Sequence, residues 1–128
     1  MEEKKIKFRE SITPKGILIL AGKNSKNNEE LVAQAGKEEF VFHTVLPGSP
    51  FVNLKGKPKK EDLRYAAIFC ARYSKDWRDN KKDVLIHIFR GKDIYKEKTM
   101  KEGTFGIKKF SKILVKKNEI EDFLHQKV

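Results

Sequence analysis

Apolar residues alternate with polar ones from Ile6 to Ile12, break at Pro14-Lys15-Gly16, and resume over Ile17-Leu18-Ile19-Leu20-Ala21. This period of two around a turn signal predicts a β-hairpin that Gly22 ends. In the polar stretch Asn24 to Glu30, Asn27 suits a helix cap with Glu30 three residues on, so a short helix is expected to stop near Gly36. Phe40 to Leu46 is rich in β-branched and aromatic residues, and Pro47-Gly48-Ser49-Pro50 marks a turn before a second short strand at Phe51 to Leu54.

After a Lys-rich loop from Gly56, Pro58 with Glu61 and Asp62 suits a helix start, and the helix is expected to run to about Lys75 or Trp77. At 100° per residue, Leu63, Ala66, Ala67, Cys70, Tyr73, Ser74 and Trp77 fall within an arc of about 120°, the expected core face. Arg64, Arg72 and Lys75 fall together on the opposite side, where they form either a solvated stripe or a contact to one ligand. Val84 to Phe89 reads as a central strand, followed by a turn at Arg90 to Asp93 and then Ile94-Tyr95. Thr104 to Phe110 and Lys112 to Lys117 are expected to pair, and Asn118 with Glu121 to open a terminal helix bearing Ile120, Phe123 and Leu124. Strands and helices mix without regular βαβ alternation. The expected fold is therefore α+β: one compact domain over residues 1–128, with a mixed, largely antiparallel sheet built from hairpins and two to three helices.

Composition narrows the function. Lys and Arg number 29 against 18 Asp and Glu, a formal net charge of +11, which favours a polyanionic partner. No segment has the apolar length of a membrane span and the amino terminus lacks a signal-peptide core, so a soluble cytoplasmic protein is expected. A single cysteine, Cys70, excludes an internal disulfide and any CxxC zinc site, and His43, His87 and His125 have no metal-ligand spacing. Phosphate-cradling glycine loops and hydrolase signatures are missing, so neither cofactor, metal site nor catalytic group is expected.

The candidate chemistry is cationic and planar. Lys92, Lys96, Lys98 and Lys101 are spaced around a predicted loop so that they can follow a phosphate backbone, or else simply solvate it. Asn24, Lys26, Asn27 and Asn28 combine amides with a cation beside a helix amino terminus. His43 and Tyr95 offer planar surfaces to exposed bases, although a lone strand histidine more often satisfies a neighbouring backbone group.

Taken in order, several segments resemble the NFACT-R domain, the RNA-associated module at the carboxyl end of ribosome quality-control proteins, also found as short standalone chains. Gly22-Lys23-Asn24 through Asn27-Asn28 is similar to the family's Gly-Arg-Asn start and its Asn-Asp, with Lys23 replacing Arg. Val41-Phe42-His43 and Pro47-Gly48-Ser49-Pro50 resemble its Trp-aromatic-His and Pro-Gly-Ser-His, with Val41 and Pro50 departing. Ala66-Ala67 through Tyr73-Ser74-Lys75 resembles the end of its alanine-rich helix, and Lys92, Lys96, Lys98 and Gly103 its lysine loop. The resemblance spans about residues 12–117, leaving 118–128 as a short terminal helix.

The resemblance implies binding of structured RNA, tRNA or rRNA, in translation or its quality control, with the ribosome or translation factors as further partners. The residues expected to bind RNA are Lys23, Asn24, Lys26, Asn28, His43, Ser49, Arg72, Tyr73, Lys75, Lys92, Lys96 and Lys98. A protein-interaction adaptor on the translation machinery would keep its partners after nuclease treatment. An accessory subunit of an RNA-modifying enzyme is the third reading, with His43, Ser49 or Ser74 as proton-transfer candidates; the sequence leaves oligomeric state open.

Overall fold

The computed structural model describes residues 6–126. Strands β1 (Arg9–Ile12) and β2 (Leu18–Ala21) form the expected hairpin, closed by a turn in which the Gly16 amide donates to the Thr13 carbonyl at 2.8 Å. Helix α1 (Ser25–Gln34), strands β3 (Phe40–Thr44) and β4 (Val52–Leu54) and helix α2 (Lys60–Arg72) follow. Then come α3 (Lys75–Asn80), β5 (Val84–Arg90), β6 (Ile94–Tyr95), β7 (Gly106–Ile107), β8 (Ser111–Val115) and α4 (Lys117–His125). Six strands form one sheet in the order β1-β2-β4-β3-β5-β8, and β6 with β7 makes a separate ribbon; every pairing is antiparallel. The fold is α+β.

Alternation along the strands gives the sheet two buried faces. Ile19, Phe42, Val52, Leu54, Val84, Ile86 and Val115 pack against Ala66, Ala67, Phe69 and Cys70 of α2, Trp77 of α3, and Ile120 and Phe123 of α4. The opposite face, with Leu20, Val41 and Phe89, packs under Leu31 of α1 and beside Phe51, Phe105 and Ile107. Asn53 is wholly buried on this second face, yet its amide donates to the Phe40 carbonyl at 3.2 Å and accepts from Gln34 at 2.9 Å. Those bonds offset the cost of its desolvation.

Four local expectations are corrected. Asn24, not Asn27, caps α1, its side chain accepting from the Asn27 amide at 2.8 Å. The long second helix breaks after Arg72, because the Ser74 side chain accepts the Trp77 amide at 3.1 Å and starts a new helix. Thr104–Phe110 and Lys112–Lys117 do not pair with each other: β7 returns to β6, and β8 pairs with β5. Helix α4 opens two residues earlier than expected, with the Glu119 carboxylate accepting the Lys116 amide at 2.9 Å.

The first turn and the amino end of α2 are tied together. Thr13 donates its hydroxyl to Asp62 at 2.7 Å, and the other Asp62 oxygen accepts the Lys59 amide at 2.8 Å. These two bonds, the amide first, hold the Asp62 carboxyl below its ordinary value of 3.8. A carboxylate depressed by folding contributes stability above its unfolded pKa and loses it as pH falls through the folded value. Asp62→Asn is therefore expected to flatten the decline of the urea midpoint below about pH 4, measured as urea titrations across the acid limb; a variant with an unchanged acid limb would remove Asp62 from that linkage.

Candidate functional site

A groove of about 400 Å³ opens where the carboxyl end of β2, the amino end of α1, the turn before β4 and the α2–α3 junction converge. Its basic residues are Arg9, Lys23, Lys75 and Arg78, its polar ones include Asn24, Asn28 and Ser49, and no Asp or Glu among the described residues lines it.

The sequence builds this junction through two glycines. Gly48 has φ +91°, and a Cβ there would stand 2.5 Å from Cδ of Lys75, so only glycine lets the Lys75 stem lie on the turn. The Lys75 amide then donates to the Gly48 carbonyl at 2.8 Å. Gly22 accepts the Asn28 side chain equally closely: a Cβ would meet Oδ1 at 1.8 Å. That same oxygen accepts the Phe51 amide at 3.2 Å, and the Gly22 amide donates to the Phe51 carbonyl at 3.0 Å. Ser49 locks the turn, accepting the Thr44 amide at 3.0 Å and donating to the Pro50 carbonyl at 3.1 Å.

Tyr73 anchors the cations. The guanidinium carbon of Arg9 lies 4.2 Å from its ring centroid and that of Arg72 4.6 Å, both within range of a cation–π attraction. A second concavity, lined by Arg72, Trp77 and Lys81, adjoins the groove and shares Tyr73, Lys75 and Arg78 with it. Arg78 pairs with Asp79 at 2.8 Å on the exposed surface. The amino end of α1, contributing Asn24 and Ser25, adds the partial positive charge of a helix terminus.

The structure thus brings Lys23, Asn24, Asn28, Ser49, Tyr73 and Lys75 to one groove, with Arg72 at its margin. Within it Asn24, Asn28 and Ser49 are already engaged with the backbone as cap and turn locks. Lys26 is exposed on the first turn of α1, outside the lining. The predicted stripe of Arg64, Arg72 and Lys75 does not form. Arg64 is bound to Glu119 and to the Leu114 carbonyl, and the break at Ser74 turns Lys75 away from the axis of α2.

The lysine loop divides as well. Lys96 is consumed internally: its ammonium donates to Glu29 at 2.6 Å and to the carbonyls of Lys101 and Thr104. It thereby ties the loop to the flank of α1. Burial opposes ionisation of Glu29, but the bonds from Lys96 and the Gly103 amide outweigh it and leave the carboxyl below its ordinary value. Lys92 pairs with Glu38 at 3.2 Å, beyond the carboxyl end of α1, about 15 Å of helix away from Lys23. Lys98 is exposed on the loop.

His43 is turned inward, with Nδ1 2.7 Å from the Thr44 carbonyl and its ring 4.4 Å from that of Phe51. Burial holds its pKa below the usual imidazole value, against the opposing pull of the Thr44 carbonyl; nearby His87 lowers it further. Cys70 is core, its thiol pushed up to about 12 by burial. Arg9 and Arg78 are the groove cations that sequence reasoning missed. Arg9 lies in an edge strand with no local motif, and Arg78 becomes a groove residue only because Ser74 restarts the helix.

Residues 6–109 match the family described as NFACT protein RNA binding domain. Over 67 residues the chain is 33% identical to the archaeal Rqc2 homolog aRqcH of Methanocaldococcus jannaschii, a match covering 49% of this chain and 10% of that protein. The structure of the C-terminal part of the fibronectin/fibrinogen-binding protein from Streptococcus suis superposes with a TM-score of 0.79 at 27% identity, covering 94% of this chain and 50% of that one. The chain thus spans a tenth of the first relative and half of the second.

Gly48→Ala is expected to lower stability by about 1–2 kcal/mol, because alanine resists the positive φ and displaces the Lys75 stem. Urea denaturation checks this, and a loss under 0.3 kcal/mol, about the level of a neutral surface change, would contradict the close approach.

Proposed function

The chain belongs to the family of NFACT protein RNA binding domains, and on that premise we propose that it holds a folded RNA, tRNA or rRNA, in the groove around Tyr73 during ribosome-associated quality control. The observation that carries this is the gathering of Arg9, Lys23, Lys75 and Arg78 around a concavity that no carboxylate among the described residues lines. Like charges held together raise the free energy of the empty groove, and a phosphate backbone relieves that repulsion while releasing its counterions. The amino end of α1 favours the same ligand. The archaeal relative's description as an Rqc2 homolog supports the quality-control setting.

This reading takes the protein to act in the cytoplasm without catalysis of its own. The proton-transfer candidates His43, Ser49 and Ser74 are all bonded to backbone groups, Ser74 donating to the Ala71 carbonyl at 2.6 Å. Such commitments support a structural role for each. Among the described residues, no helix is long and apolar enough to cross a membrane.

Lys23→Gln with Lys75→Gln is expected to weaken binding of a tRNA transcript about tenfold at roughly 0.1 M salt, and to reduce the slope of log affinity against log salt by about 1.5, at roughly 0.7–0.9 per phosphate contact. Lys96→Ala should leave that slope within about 0.3, since its ammonium is engaged within the fold. Fluorescence anisotropy over a salt series reads both. An unchanged slope in the first variant would remove the groove from the interface.

A further inference from the structure

A second basic surface lies at the other end of the sheet, where β3 begins, β4 and β5 end and β8 begins. Two concavities meet there at Phe40 and Arg90. One, of about 380 Å³, carries Lys109 and Phe110; the other, of about 550 Å³, carries Lys57, Lys59 and Lys60. Helix α2 starts here and ends at the Tyr73 groove, so its 13 residues separate the two sites by roughly 20 Å.

Planar groups sit among these cations. The Arg90 guanidinium carbon lies 4.2 Å from the Phe40 ring centroid, and Nη1 donates to the Glu38 carbonyl at 2.7 Å, which fixes it over the ring. Phe110 is 48% exposed although it is aromatic, its ring held 4.4 Å from that of His87. The concavities also contain Glu38, Glu39 and Asp93, but Lys92 pairs with Glu38 and Lys55 with Glu39, both lysines from outside the lining. Lys57, Lys59, Lys60 and Lys109 belong to none of the ion pairs among the described residues. The surface is therefore net cationic.

We propose that this end of the sheet is a second, separate site for an unpaired RNA strand. Bases pack on Phe110 and on the Arg90–Phe40 pair, while Lys57, Lys60 and Lys109 take the phosphates. Duplex RNA buries its base faces in the stack, so exposed rings interleaved with ammonium groups suit single-stranded nucleotides. The inference rests on the RNA reading above and extends it: one small domain holds folded RNA at one end of α2 and a single strand at the other. An acidic peptide would satisfy the lysines and the guanidinium but would gain little from the exposed aromatic faces.

The test is anisotropy with a fluorescein-labelled 12-nucleotide oligouridylate, run beside the tRNA transcript on the whole chain. Phe110→Ala is expected to weaken oligouridylate about tenfold and the transcript less than twofold, with Phe110→Tyr restoring the former. Phe110→Ala with Lys57→Gln should weaken oligouridylate further, and thermal melting confirms that each variant is folded. Unchanged oligouridylate affinity in the double variant overturns the second site, as does displacement of oligouridylate by a 12-residue oligoglutamate at equal concentration. Wild-type binding of the transcript but not of oligouridylate removes this site alone, whereas binding of neither removes the Tyr73 groove as well.

Discussion

The Lys75 amide reaches the Gly48 carbonyl at 2.8 Å, and the Lys75 stem lies over a residue that has no Cβ to hold it off. This docking of a turn onto a helix junction decides the shape of the groove. It requires the chain to leave helical geometry at Tyr73 and re-enter it at Lys75, which the Ser74 hydroxyl makes possible by capping Trp77. Trp77 then enters the core beneath the junction. Lys75 and Arg78 consequently face the turn and α1, where a continuous helix would have carried them around the axis of α2.

The lysines fall into two physical classes. Lys55, Lys92 and Lys96 are tied to Glu39, Glu38 and Glu29, and in Lys96 the bonds extend to two backbone carbonyls, so these serve as fasteners between distant segments. Each costs side-chain entropy but joins segments far apart in the chain. The cations at the two ends of α2 include several without such carboxylates. Their mutual repulsion is tolerated because the layered core supplies stability elsewhere, with apolar side chains buried on both sheet faces at about 1.5–3 kcal/mol each.

Local patterning made most elements legible: period-two alternation marked β1, an apolar run marked β2, aromatic and β-branched composition marked β3, and Pro47-Gly48 marked the turn. Pairing over long distances was not legible. Nothing between residues 104 and 117 indicates that its first half belongs with Ile94-Tyr95 and its second with β5, because partner choice depends on which face each strand buries. Ser74 followed by Asp76 was a readable signal for a new helix, masked by an apolar periodicity that continued to Trp77. The family pattern singled out Lys23, Tyr73 and Lys75, which the fold brings to one groove, and it singled out Lys96 in the same way. Only the fold brings Glu29 to it, and the fastener is invisible until then.

In the proposed complex, folded RNA sits against the converged ends of β2, α1, the 47–50 turn and the α2–α3 junction. Hydrogen–deuterium exchange on the whole chain, with and without a tRNA transcript, tests this most directly. Exchange is expected to slow within residues 22–28, 47–50 and 73–78. Protection confined to other segments, with these three unchanged under saturating RNA, would contradict it.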